Sequence, residues 1–419
     1  MKLAFTLLSL YALLKVCLCF HEIPHMLVLG IAKRELMKND MEIYNITAKY
    51  FDTFSSSGID SIPTTSYEEN AVWSDDIKSY GDAQKAMGMW HFIGNLDSNP
   101  YNLTLYKDPM ADSENALNAY ANIVKTLTNK NFVGKITEFK VSMLKMLVHL
   151  VGDIHMPHHT GTYYNKTFEK EKGKGIYSGD KGGNKQNILY YPQTGKKQKT
   201  NIHFYFDSSC FFYTWTSRLV RPLNQSFTNY FEIELERIMT QYPKESLNIN
   251  YTQTFDDWAE ESWNIALTEI YPFLMQKNVI RYQDAFYNSS FNMIQQRIVI
   301  AGYRLAYTLQ NIFAAEKGKI DLTTPLSYEK QQKTIIVYNN QMPLSNSIST
   351  EYHSDKAMAV IFGVLFGLTL VSYIAFMIYF RMTYSAMKSQ NRISSEYLNT
   401  KNGTMQKIPS TEQNNEHKA

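Results

Sequence analysis

Chemistry in this chain concentrates in its histidines. Of ten, four fall within eleven residues: His149, His155, His158 and His159. His149 and Asp153 are spaced i, i+4, so on a helix they share one face about one turn apart, which suits chelation of a single ion. The segment Asn201-Ile-His-Phe-Tyr-Phe-Asp207 repeats the pair as His203 and Asp207. One such pair is commonly a structural hydrogen bond. Two pairs, with a histidine cluster after a proline turn, argue for a metal centre. Imidazole and carboxylate donors without thiolate point to zinc in an open, catalytic site.

The elements that must carry these donors read as helices. Pro24 precedes 26–38, where apolar residues recur at helical spacing. Segments 113–127, 135–152, 256–274 and 291–315 keep the same period, and Met143, Leu144, Leu147 and Leu150 form a buried stripe in 135–152. Strand-like alternation is sparse and no internal repeat is present, so the expected fold class is all-α. Residues 160–200 are rich in Gly and Lys and read as an exposed loop, either a phosphate-attracting rim or a solvated insertion.

Apolar residues are 44% and charged residues 19% of the 419, which allows a buried core and excludes wholesale disorder. The net charge of +3 resides at the two ends. The body between them is slightly acidic, so it is not a broadly basic polyanion-binding surface, and any phosphate chemistry belongs to a local site.

Those ends imply a location. Met1-Lys2, an apolar run from Leu3 to Leu14, and Cys17-Leu18-Cys19 read as a secretory signal peptide, 1–19, cleaved before Phe20. Residues 357–380 carry no formal charge over 24 positions. At about 1.5 Å per residue, that run spans a hydrocarbon core of about 30 Å. Arg381, Lys388 and Arg392 mark the cytoplasmic side. The expected layout is type I: a folded domain 20–316, a polar stalk 317–356, one transmembrane helix 357–380 and a cytoplasmic tail 381–419, at the cell surface or in a lysosome-like compartment. Sequons at Asn45, Asn102, Asn165, Asn224, Asn250 and Asn288 fit a glycosylated exterior. Cys210 is the only cysteine beyond the signal, which excludes an intrachain disulfide and reads as an inert core thiol.

From Phe20 to Ser262 the chain resembles the class I single-strand-specific zinc nucleases, which share a helical fold with zinc phospholipases C. His149-Leu-Val-Gly-Asp153 with Pro157-His-His159 is similar to that family's central motif, and Asn201-Ile-His203 with Asp207 to its second. Gly179-Asp-Lys-Gly-Gly-Asn184 resembles its Gly-rich signature and Trp258-Ala-Glu-Glu-Ser262 a downstream one. Trp73-Ser-Asp75, His91-Phe-Ile and His25 resemble further ligand segments, and the membrane-anchored layout resembles the trypanosomatid 3′-nucleotidase/nucleases.

The resemblance implies three zinc ions. One takes Asp75, His91, His149 and Asp153; a second takes His159, His203 and Asp207. The third takes His25, shared carboxylate oxygens, and the backbone amine and carbonyl of the mature first residue, Phe20. It implies metal-activated hydrolysis of single-stranded RNA or DNA to 5′-phosphate products, with 3′-nucleotides as further substrates. Asp75, Asp153 and Lys78 would act at the reacting phosphate. Lys78 stands where the family usually has Arg, so charge is kept but the bidentate fork is lost. Asn95, after Gly94 at a base-recognising position, and Asp180 and Asn184, which shape a loop near the site, are the remaining substrate-side candidates. His155 and His158 read as supporting residues. No obligate protein partner is implied. The rivals are a zinc phospholipase C and a non-catalytic surface receptor stabilised by zinc; the Gly-rich stretch and the long spacing between His159 and His203 favour the nuclease.

Overall fold

A computed structural model describes residues 22–54, 66–79, 81, 87–93, 115–163, 179–193, 195–213, 221–323 and 326. The expected signal peptide, membrane span and tail lie outside them, as do Phe20, Gly94, Asn95, Asn102, Asn165 and all of the stalk but 317–323 and 326. Among the described residues, no helix is long and apolar enough to cross a membrane.

The centre of the body is α1 (Glu22–Asn39), buried on every side from Ile23 to Ala32. Its run Ile-Pro-His-Met-Leu-Val-Leu-Gly-Ile-Ala has no polar face, which marks a helix enclosed by others. Helix α2 (Met41–Thr53) follows, capped by the Asp40 carboxylate on the Ile43 amide. A short helix α3 (Trp73–Asp76) runs into a 3₁₀ turn, Ile77–Ser79, and a second 3₁₀ turn spans Met87–His91. Helix α4 (Ala116–Leu127) lies against α5 (Glu138–Asp153), which is buried without break from Leu144 to Asp153. Helix α6 (Ile202–Asp207) is short; α7 (Gln225–Gln241) and α8 (Phe255–Ile265) are longer, and α8 opens with a capping box between Thr254 and Asp257.

The expected helix over 256–274 is interrupted. Residues Ala266–Ile270 widen into a π turn before α9 (Tyr271–Gln276). Pro272 has no amide hydrogen to continue the α ladder, and the Tyr271 amide reaches back to Ala266. The last helix, α10 (Ala285–Phe313), packs along α1. Gly302 allows that contact, because a Cβ there would lie 2.5 Å from Ile31 Cβ.

The all-α expectation needs one correction. The fold is mostly helical, but the tract expected as loop contains β1 (Asn187–Tyr191) and β2 (Gln198–Asn201), joined by β3 (Val279–Arg281) in the order β2-β1-β3. Strand β1 is antiparallel to β2 and parallel to β3. Ile188 and Tyr190 point inward while Asn187 is exposed. The strands hold a single lysine, Lys199, but lysines at 185, 196 and 197 flank them and dominate the composition of the tract. The sheet delivers Asn201, which caps α6 by accepting from the Phe204 amide at 2.7 Å. Of the described sequons, Asn224, Asn250 and Asn288 are exposed, whereas Asn45 is half-buried with Thr47 fully buried beside it.

Candidate metal centre

Six local elements converge. The first turn of α1 brings His25, α3 brings Asp75, the Met87–His91 turn brings His91, and α5 brings His149 and Asp153 one turn apart. A 3₁₀ turn, Pro157–His159, brings His159, and α6 brings His203 and Asp207. Their donor atoms fall into three groups, each within 4.8 Å: His91, His149 and Asp153; His159, His203 and Asp207; and His25, Asp75 and His149.

The first group has Asp75 close by, its Oδ1 3.6 Å from His149 Nε2 and 3.9 Å from His91 Nδ1. The four residues expected around one ion are thus together. The second group is the expected triad. The third gathers His25 with Asp75 and His149, while Asp153 Oδ1 is 3.3 Å from His25 Nε2. Asp153 is the hub, since its carboxylate also approaches His91 (2.8 Å), His149 (3.2 Å) and His159 (3.4 Å). Asp76 is turned away and pairs with Arg221 at 2.6 Å, which leaves Asp75 as the carboxylate facing the cluster.

Backbone carbonyls orient three of the rings. His149 Nδ1 meets Ala71 O at 2.6 Å, His159 Nδ1 meets His91 O at 2.8 Å, and His203 Nδ1 meets Gly182 O at 2.7 Å. A carbonyl only accepts, so each Nδ1 carries the proton and each Nε2 offers a lone pair toward the acids. His149 Nε2, Asp153 Oδ1 and Asp207 Oδ2 are buried and make no hydrogen bond. Buried polar atoms are normally paired, so a cluster of inward lone pairs fits a group that accepts them, and a divalent cation is such a group.

The electrostatics agree. Burial pushes Asp75 upward, but Lys78 and the imidazoles outweigh it and hold its carboxyl well below the usual range. Asp153 and Asp207, despite burial, are also held low by the adjacent histidines. Burial and the neighbouring His149 bring His25 down to about 4; burial and Lys78 bring His91 down to about 3. Burial opposes protonation of His149, but Asp153 and Asp75 raise it. Most donors are therefore in their ligating form at neutral pH. Lys78, part-buried, donates to Asp75 Oδ1 at 2.6 Å and so stands at the cluster's edge.

Asp180, expected to shape a loop on the substrate side, sits inside that loop. It is fully buried, with Oδ1 accepting from the Tyr163 amide and Oδ2 from the Tyr271 hydroxyl, both at 2.8 Å. Burial pushes it up to about 6. Asp180 anchors the Gly-rich turn, and Asn184 closes the same turn by donating to Lys181 O. That turn presents Gly182 O to His203. Gly182 and Gly183 have φ of +59° and +81°, and a Cβ on either would strike His158. The signature serves the candidate metal ligands from behind.

Sequence reasoning missed two contributors. Gly152 leaves room for His25, because a Cβ there would lie 2.6 Å from His25 Nδ1. Phe92 is half-buried and stacks on His159, with ring centroids 4.8 Å apart, while tilting against His203 at 5.9 Å. Its place directly after His91 was the only available signal. His155 and His158 belong to none of the three groups. His158 stacks on Phe206, and burial holds both rings well below the usual histidine range. Cys210 is buried with its thiol pushed up to about 12, as befits an unreactive core residue.

The profile of the S1/P1 nuclease family matches residues 22–314, and the chain belongs to that family. It is 26% identical over 178 residues to endonuclease 4 of Arabidopsis thaliana, covering 41% of this chain and 51% of the relative. It is 25% identical over 181 residues to endonuclease 3 of the same plant, covering 42% and 52%. The chain thus spans about half the length of the curated relatives it matches.

Proposed function

We propose that this protein is a zinc-dependent endonuclease that hydrolyses single-stranded RNA and DNA to 5′-phosphate products, with 3′-nucleotides as further substrates. The observation that carries this reading is the convergence of five histidines and three aspartates, with buried lone pairs directed at one another, in a chain of the S1/P1 nuclease family.

His91, His149, Asp153 and Asp75 would hold one ion, His159, His203 and Asp207 a second, and His25 with the carboxylates and the Phe20 backbone a third. Zinc bound there would supply Lewis-acid polarisation of the phosphate and a nucleophile at neutral pH. The chain's own residues do the rest. Lys78 brings a positive charge beside Asp75, where a phosphate dianion needs one. Asp153 sets the spacing of the groups by touching four histidines. Phe92 offers a ring face for an unpaired base. A duplex keeps its bases stacked within itself, so this platform favours single strands. We further propose that the domain is lumenal or extracellular, glycosylated, and anchored by residues 357–380.

The test is incubation of the full-length protein with single-stranded nucleic acid, duplex and a choline phospholipid in parallel, with and without a zinc chelator. Chelator-sensitive loss of the single strand alone is the expected result. Lipid cleavage alone would place the protein with the phospholipases, and no turnover by zinc-loaded protein would favour a receptor.

A further inference from the structure

The end of α5 lies inside the protein, before the ligand His159, and the backbone carbonyls from Leu150 to Met156 all have partners. Leu150, Gly152, Asp153 and Met156 are served by amides of the same turn. Three others are served by side chains. Val151 O accepts from His155 Nδ1 at 2.7 Å, Ile154 O from Ser262 Oγ at 2.6 Å, and His155 O from Arg297 Nε at 3.2 Å.

These donors are tied together from the far side. Arg304 donates to His155 Nε2 at 2.9 Å, which fixes the tautomer that serves Val151. Arg297 donates to Ser262 Oγ at 2.6 Å, and both guanidiniums reach the Glu261 carboxylate at 2.7 Å. Arg297 and Arg304 are buried and seven residues apart, so they lie on one face of α10, two turns from each other. Between them, Gly302 packs on Ile31 of α1, the helix that carries His25. A helix C-terminus also favours cations. Helix α10 supplies no ligand, yet it contacts α1, which carries His25, α5, which carries Asp153, and His155 in the turn that leads to His159.

We infer that Arg297 and Arg304, acting through Ser262 and His155, are positioning residues that set the distance between the two metal groups bridged by the 154–158 turn. This inference rests on the metal reading above. None of the four contributes a donor to the groups, so their effect must pass through the turn.

The test uses cobalt(II), whose visible absorption reports ligand geometry, in the full-length protein stripped of its own metal. Ser262→Ala and Arg297→Lys are compared with Lys140→Met, which breaks a buried ion pair elsewhere in the fold. Ser262→Ala and Arg297→Lys should each weaken cobalt binding roughly ten- to a hundred-fold and shift its visible bands. Lys140→Met should keep the wild-type bands and affinity whatever its loss of thermal stability. Ser262→Ala removes a single oxygen, so it decides the matter even where Arg297→Lys yields no folded protein. Variants at 262 and 297 that lose stability yet keep the wild-type spectrum and affinity would overturn the inference. Absence of any cobalt spectrum in the wild type would instead overturn the metal reading beneath it.

Discussion

Two buried polar clusters in this protein are built on opposite plans. Around Lys140, every charge is answered. Its three N–H donors have four acceptors within reach, Glu316 Oε1, Tyr50 OH, Phe132 O and Lys135 O, and Glu316 Oε2 accepts from the Gly134 amide. Around Asp153 the acids and imidazoles face one another, and several donor atoms make no hydrogen bond. Burying unanswered polar atoms costs free energy. The Lys140 cluster is complete from the chain alone and clasps the end of the helical body to the start of α5. The Asp153 cluster leaves buried lone pairs that a cation could take up. What makes a site is charge arranged so that the chain cannot satisfy it.

The clusters should therefore break differently. Lys140→Met leaves Glu316 buried without its partner and should cost about 3–5 kcal/mol of stability in denaturant unfolding, with the turnover of the folded fraction unchanged. Asp153→Ala removes the hub of all three groups. Hydrolysis of single-stranded substrate should fall by more than about a hundred-fold, the upper end of what loss of an outer partner alone costs. A smaller loss would mean that Asp153 is not the hub.

A finer cut separates holding metal from holding substrate. Phe92→Ala should weaken single-strand binding by about 1–3 kcal/mol, the usual worth of one stacked base, and leave zinc content unchanged. Equal weakening for a sugar-phosphate ester without a base would argue against stacking.

The smallest effect is one of pH. In the metal-free protein His25 and His91 sit near 4 and 3, below the ordinary 6.5, so the folded state binds fewer protons than the unfolded chain. Their contribution is present above 6.5 and is lost as pH falls through those values. His155 and His158 act in the same direction, while His149, shifted upward, opposes them. Chelator-treated protein should thus unfold at lower temperature at pH 4 than at pH 7, and the clasp variant Lys140→Met should show the same trend. A flat profile would mean that the buried histidines are hydrated.

Much of the centre was legible because its pairs are local. His149 with Asp153, and His203 with Asp207, each sit on one helix, where spacing translates directly into proximity. The convergence of His25, Asp75 and His91 onto them is tertiary, and only the family resemblance anticipated it. The strands escaped because β1 is five residues long and β2 four, within a tract whose flanking lysines dominate its composition. Asp180 was expected both to shape the Gly-rich loop and to stand on the substrate side, and the sequence could not separate the two. A motif beside a site does not say which way its carboxylate points, and here Tyr163 and Tyr271 hold it inward. The arginines of α10 gave no local signal, since their partners lie 35 or more positions away in the chain.

We propose the Asp153 cluster as a zinc centre on which hydrolysis depends. Its most direct test is the zinc content of the purified full-length protein, measured by elemental mass spectrometry alongside cleavage of single-stranded DNA, before and after chelation and after zinc is returned. The expected result is three zinc ions per chain, loss of cleavage as they leave, and recovery as they return. Protein stripped of metal that cleaves at its original rate would contradict it.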